Sequence, residues 1–342
     1  MDIDPNTKIM IAVIISSIAV LLMSQIWNEF EHEPFYGDGG RAVYPQFLLS
    51  ARPDLFREIV RMERHTFDKL VSTVRTKGLL EDGRSVSVEE QLLMFLDVVC
   101  HHNAMRQTAM KFRRGLYTVH RYACLLISVC GAQLINPHLH RYFASVLDAL
   151  YALYPEYVKF DLPACHQPAS ICDNAKYKPF RNCLGALDGV FVPARVPVSL
   201  QSTYRSRKGI IAQNIMAAVN FNSEFVFVLA GWEGSAHDTR VFNDALSKGF
   251  RIPGNKYFLA DAGYGIRQGL MTPYRGVRYH LKEQAMAGLR PDNRKELYNL
   301  CHASLRNVVE RVFGCIKKKF PILTNSPEIE LNKQVRLIYS LC

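Results

Sequence analysis

Two short apolar runs, LGALDGVFV at 184–192 and YFLADAGY at 257–264, each carry one aspartate where the pattern otherwise reads as a buried strand. An ionised carboxylate in such a place is costly unless it is paired, hydrogen-bonded or bound to a cation. For one aspartate, a turn cap ahead of its glycine (Gly189 or Gly263) is explanation enough. For two, on strands that the chain order makes neighbours, a shared cation gains ground.

The surrounding periodicity supplies that order. NIMAAVNF at 214–221 and EFVFVLA at 224–230 are apolar strands separated by Asn222 and Ser223, a hairpin pattern. HDTRVFNDALS at 237–247 has helical spacing, as does the segment around 307–319. Three antiparallel strands, then a parallel one, with helices on the faces, is the ordering of an RNase H-like α/β core.

A third carboxylate, Glu310, lies in NVVERVFGCIKKKF beside the stripe Val308, Val309, Val312, Phe313 and Ile316. That placement lets it face the sheet edge where the aspartates end. Three carboxylates on such elements suit two Mg²⁺ or Mn²⁺ ions, because hard cations prefer oxygen donors. Two ions can activate water and stabilise a leaving oxygen at a phosphodiester. In such a site Asp188 is expected to bridge both ions, with Asp261 and Glu310 each completing one.

Composition narrows the partner. The chain has 342 residues, 49% hydrophobic and 21% charged, which excludes a disulfide-stapled miniprotein and global disorder. A net charge of +11 favours an anionic partner, nucleic acid first. The nine cysteines are odd in number and none are spaced as C-x2-C, against a zinc ribbon and for free thiols in a reducing compartment. Ile9–Met23 is apolar and charge-free but shorter than the ~20 residues of a spanning helix, and both flanks are acidic. It reads as a leader or a packed helix rather than a membrane anchor.

The amino-terminal part is helical in pattern. Phe67, Leu70, Val71 and Val74 share a face, and Ser87 with Glu90 forms a capping-box pattern ahead of Leu92, Leu93, Leu96 and Val99. A short helix at 104–112, a turn at 113–117 and a helix from Thr118 to about 134 give a helix-turn-helix outline. From Val98 to Leu147 there are six Lys/Arg and no Asp or Glu. That one-signed charge, with Arg113 and Arg114 at the turn, suits phosphate contact.

The segments GALDGVFVPA, YRSRKGIIAQNIMAAVNF, FVFVLAGWEGSAHDTRVF, YFLADAGY, TPYRGVRYHL and HASLRNVVERVFGCIKKKFPIL resemble, in order, the PIF/Harbinger transposases and transposase-derived nucleases of the DDE superfamily. The resemblance covers most of 183–323 and, more loosely, 64–140. It implies Asp188, Asp261 and Glu310 as the acidic triad of a metal-dependent DNA endonuclease or strand transferase. Asp238, next to His237, is the competing second acid or a supporting group. Arg205, Arg207, Lys208, Arg275, Arg278, Arg306, Arg311, Lys317, Lys318 and Lys319 are the expected DNA contacts. The resemblance also implies a Myb-like DNA-binding partner that aids nuclear entry, so the nucleus is the expected location, with the cytoplasm as the alternative; a homo-oligomer is left open.

The expected organisation is a leader and linker at 1–50, a helix-turn-helix-like domain at 51–155, a linker at 156–181, and the nuclease domain at 182–342 with a shortened end. Departures from the family pattern include DGVFVP where DGTHIP is usual, which puts Val190 and Phe191 beside the first acid. The residues therefore permit two outcomes: an active nuclease, or an inactive, domesticated DNA-binding or scaffold protein.

Overall fold

The computed structural model describes residues 43–114, 142–277 and 291–342. The apolar run at 9–23, the second helix expected from Thr118, and Arg278 lie outside the described residues. Among those described, no helix is long and apolar enough to cross a membrane.

The first region is helical: α1 (Val43–Ser50), α2 (Pro53–Val60), α3 (Arg64–Thr76), α4 (Val88–His101), α5 (Met105–Lys111) and α6 (Tyr142–Tyr157). Helix therefore begins at Val43, inside the stretch read as linker. Pro53 opens α2, where its missing N–H is no loss. The α3 face buries Phe67, Val71 and Val74. Ser87 caps α4 by accepting the Glu90 N–H, and α4 is buried along most of its length, with α2, α3, α5 and α6 against it.

That burial changes the meaning of the basic run. Glu90 and Asp97 are buried acids on α4, and Arg114 and Lys111 from the basic run neutralise them. Arg114 Nε donates to Glu90 Oε1 at 2.6 Å and its Nη2 to Oε2 at 2.8 Å; both side chains are under a tenth exposed. Lys111 pairs with Asp97, which also accepts from Thr108 Oγ1 at 2.8 Å and Asn103 Nδ2 at 3.0 Å. The countercharges lie on the preceding helix, so Arg114 is an internal ion pair rather than an exposed phosphate contact. Arg113 is exposed, with a left-handed φ of 51°.

Short helical turns at Pro163–Cys165, Ala169–Cys172 and Ala175–Phe180 occupy the expected linker and lead into the sheet. Its strands are β1 (Cys183–Pro193), β2 (Ala212–Asn220), β3 (Phe225–Glu233), β4 (Tyr257–Leu259) and β5 (Leu270–Met271). The spatial order is β3-β2-β1-β4-β5. The first three strands are antiparallel, and β4 and β5 run parallel to β1. At Gly185 a Cβ would stand 2.0 Å from the Val219 carbonyl oxygen, so only glycine lets β1 and β2 close there. The fourth strand is shorter than its apolar run, because the chain turns at Asp261, and β5 carries too little pattern to read from sequence.

Both sheet faces are covered, and the middle strand β2 alternates between them residue by residue. Ile215, Ala217 and Val219 of β2 join the core shared with the helical region. Met216 and Ala218 face the other way, onto Val241, Phe242 and Ala245 of α7 (Asp238–Ser247). The first face is closed by α8 (Arg294–Lys319), whose Leu305, Val308, Val309, Val312 and Phe313 are buried. Asn293 caps α8 by accepting the Lys295 and Glu296 N–H groups. The last helix, α9 (Leu331–Leu341), packs on α6 and β3.

Candidate active site

Register brings the two strand aspartates together. Ala186 of β1 pairs with Leu259 of β4 in parallel. Asp188 and Asp261 each follow that pair by two residues, so they stand side by side, on one face, where the parallel strands end. Asp188 Oδ1 accepts the Gly189 N–H at 2.9 Å, and Asp261 Oδ1 accepts the Ala262 N–H at 2.7 Å. The turn-capping bonds are thus real, and they leave the outer oxygens available for other partners.

Asp238 enters from the far side, as the first residue of α7. His237 precedes it, exposed and without a side-chain capping bond. A Cβ on Gly263 would lie 3.0 Å from Asp238 Oδ2 and 3.8 Å from Asp261 Oδ2, so the two carboxylates straddle that glycine. Asp238 is therefore in the cluster, opposite Asp188 and Asp261. Asn214 of β2 hydrogen-bonds the Asp238 side chain, and its Nδ2 donates to Ala236 O at 3.1 Å.

Tyr264 closes the floor. Its ring is 1% exposed, and its hydroxyl has no hydrogen-bond partner among the described residues. A Cβ on Gly189 would be 3.2 Å from that hydroxyl and 3.2 Å from Asp238 Oδ1. Burial raises the Tyr264 pKa well above the ordinary phenol range, and the charges of Asp238, Asp188 and Asp261 add to this. Burial also raises the Asp188 carboxyl, against the pull of Arg306 and the Gly189 N–H, and raises that of Asp238 against Arg207 and Asn214.

Glu310 joins through an intermediary. It is half exposed on α8, and Arg306 one turn earlier binds it with Nη2 while donating from Nη1 to Asp188 Oδ2 at 2.6 Å. Arg306 is 9% exposed, so this expected DNA contact lies inside the site, bridging two of its acids. Among the described residues, no group of three His, Cys, Asp or Glu side chains is already drawn together around a cation position. The donor set is nonetheless all oxygen, clustered and partly desolvated around an unsatisfied hydroxyl, which fits a hard divalent cation. His302, deeper on α8, places Nε2 2.9 Å from Met271 O, and burial holds its pKa down to about 4.

The remaining basic residues divide. Exposed Arg207 acts electrostatically on Asp238, and Lys208 on Lys317. Lys317 is half-buried, its Nζ donating to Phe191 O at 2.9 Å. Arg275 donates to Ala262 O at 2.7 Å, over the Asp261 turn, while Arg205 closes its own loop on Gly209 O at 3.0 Å. Lys318 and Lys319 line a groove with Arg57 of α2 and Arg61 just past its end, and Arg311 lines another with Glu224 and Tyr157. These three lie in grooves that include none of the clustered acids. The aspartate-in-a-strand signal found Asp188 and Asp261. The same signal was present for Asn214, a buried amide within an apolar strand, while Tyr264 was hidden by its ordinary aromatic pattern.

Comparison with known proteins places these acids within a recognised family match. Residues 187–342 match the family described as DDE superfamily endonuclease, and residues 41–130 match a domain family of unknown function. The human protein named "Putative nuclease HARBI1" is 23% identical over 215 residues, 62% of this chain and 57% of that protein. Its bovine counterpart is 25% identical over 146 residues, 42% of this chain and 38% of that protein. The Arabidopsis thaliana "Protein ALP1-like" is 20% identical over 319 residues, 86% of this chain and 70% of that protein. The matches thus span about half the length of the mammalian relatives. No solved structure gives a significant match. Residues 187–342 thus match the DDE superfamily endonuclease model, and the chain is similar at low identity to relatives named as putative nucleases and to the ALP1-like protein.

Proposed function

We propose that the chain is a divalent-metal-dependent DNA endonuclease or strand transferase on an RNase H-like core. The observation that carries this is the register that sets Asp188 beside Asp261 at the strand ends, with Asp238 facing them across Gly263. Asp188, Asp261 and Glu310, with Asp238 in support, would hold Mg²⁺ or Mn²⁺, two ions in the full site. When bound, such ions activate water and stabilise the leaving 3′ oxygen.

The chain's own groups do the rest. Arg207, Lys208 and Arg275 are exposed around the acids and would hold the phosphate backbone against the field of the carboxylates. Lys317, anchored on Phe191 O, adds positive charge beside Lys208. Val190 and Phe191 continue β1 past Asp188, half-buried. Nuclear localisation, a Myb-like partner and self-association remain part of this proposal on the resemblance alone.

A second reading is a non-cutting DNA-binding or scaffold protein on the same fold. Arg306 favours it, because it already occupies the space between Asp188 and Glu310. Duplex DNA cleavage in Mn²⁺ or Mg²⁺, against EDTA, separates the two. Asp188→Asn, with its fold checked by circular dichroism, is expected to lose at least about a hundredfold in rate. Undiminished cleavage by that variant overturns the nuclease reading at this site, and DNA binding without cleavage by the well-folded parent selects the second.

A further inference from the structure

We propose that Arg306 is an exchangeable counter-cation: it holds Asp188 and Glu310 together while no metal is bound and must leave that bridge before the acids share a divalent ion. The inference rests on the metal-dependent reading of the site and goes beyond it by assigning a residue that controls loading.

The geometry argues for exchange rather than simple support. Arg306 and Glu310 are one helical turn apart on α8, and the guanidinium spans from there to β1. Arg306 is almost fully buried, and a buried guanidinium is tolerated only where carboxylates surround it. The converse also holds. Asp188 stands beside Asp261, and the Arg306 guanidinium supplies positive charge where these carboxylates crowd. A divalent ion on Asp188 Oδ2 would lie against the Nη1 group that now binds that oxygen at 2.6 Å. Two cations on one oxygen repel, so the ion and the guanidinium compete. Glu310, at 49% exposure, lies at the open end of the bridge and leaves the long arginine side chain a way out. Its planar fork is then matched to a phosphate, so DNA that captures Arg306 would promote ion binding, and the ion would promote DNA binding equally.

The test counts free Mn²⁺ by electron paramagnetic resonance during titration of the full chain, its Arg306→Gln and Arg306→Lys variants, and Asp188→Asn as the control for binding at this site. Arg306→Gln is expected to bind Mn²⁺ about tenfold more tightly or better, since the acids have lost their internal cation. Arg306→Lys, which keeps the charge without the fork, should stay near the parent. Duplex DNA should raise the Mn²⁺ affinity of the parent by a larger factor than that of Arg306→Gln. Equal or weaker binding by folded Arg306→Gln, with a parent that binds, overturns the exchange and leaves the metal reading standing. Absence of binding in both overturns the metal reading and this inference with it. If Arg306→Gln fails to fold, ¹⁵N-arginine spectra of the parent decide. The Arg306 Nε–H signal, assigned by its loss in Arg306→Lys, must shift on saturation with Mg²⁺; an unmoved signal overturns the proposal.

Discussion

Asp188 and Asp261 stand at the same level of two parallel neighbours, each two residues beyond the paired positions Ala186 and Leu259. Because side chains alternate along a strand, a one-residue slip of β4 against β1 would send one carboxylate to the opposite face. The site therefore depends on a register that is enforced elsewhere, by the burial of Phe258 and Leu259.

Space at Gly189 is one testable consequence. Gly189→Ala would place a methyl 3.2 Å from both Asp238 Oδ1 and the Tyr264 hydroxyl. The expected outcome is a folded protein with weakened Mn²⁺ binding, measured from the free-ion signal. Full-strength binding would show that Asp238 does not need its present position.

The Tyr264 hydroxyl gives a second. It is buried among acids without a hydrogen-bond partner among the described residues. Tyr264→Phe is expected to leave metal-free stability unchanged or raise it by about 1 kcal/mol, since an unsatisfied buried polar group is removed. Denaturant titration in EDTA measures this. A clear loss of stability would mean that the hydroxyl is satisfied in solution.

His302 predicts a pH dependence. Its folded pKa is held down to about 4, from an ordinary value of 6.5. The unfolded chain then binds more protons between those values, so the associated stability is complete above pH 6.5 and lost as the pH falls toward 4. The size is up to about 3 kcal/mol. His302→Gln keeps a donor for Met271 O and removes the titration. Its stability should fall less steeply than the parent's across this window, as read by thermal melting.

The basic residues should separate into two kinds. Arg207→Ala and Lys208→Ala are each expected to reduce the slope of log affinity against log salt for duplex DNA by about 1, the signature of a lost phosphate contact. Arg114→Met should leave that slope alone and cost about 3–5 kcal/mol of stability, because Glu90 would stay buried without its partner. An altered salt slope in folded Arg114→Met would return that residue to the DNA-facing surface.

Much of the fold and of the candidate site was legible in the sequence. The runs around Asp188, 214–230 and Asp261 announce strands by their apolar patterning, and 238–247 announces a helix, because these signals are local and repeat with the period of the element. The acids themselves are conspicuous because a charge in an apolar run contradicts its surroundings. The helical region was legible as helices, but the pairing of Lys111 and Arg114 was not, since Asp97 and Glu90 lie outside the window that contained these cations.

What the sequence by itself determined is the order of the longer strands and helices and which acids stand in apolar strands, both properties of neighbouring residues. Tertiary structure alone decided which charges meet. Arg306 reaches across 118 positions to Asp188, and Lys317 across 126 to Phe191. Asp238 is carried into the cluster by the packing of α7 on the sheet. Electrostatic pairing acts through distance in space, and no periodicity along the chain records it.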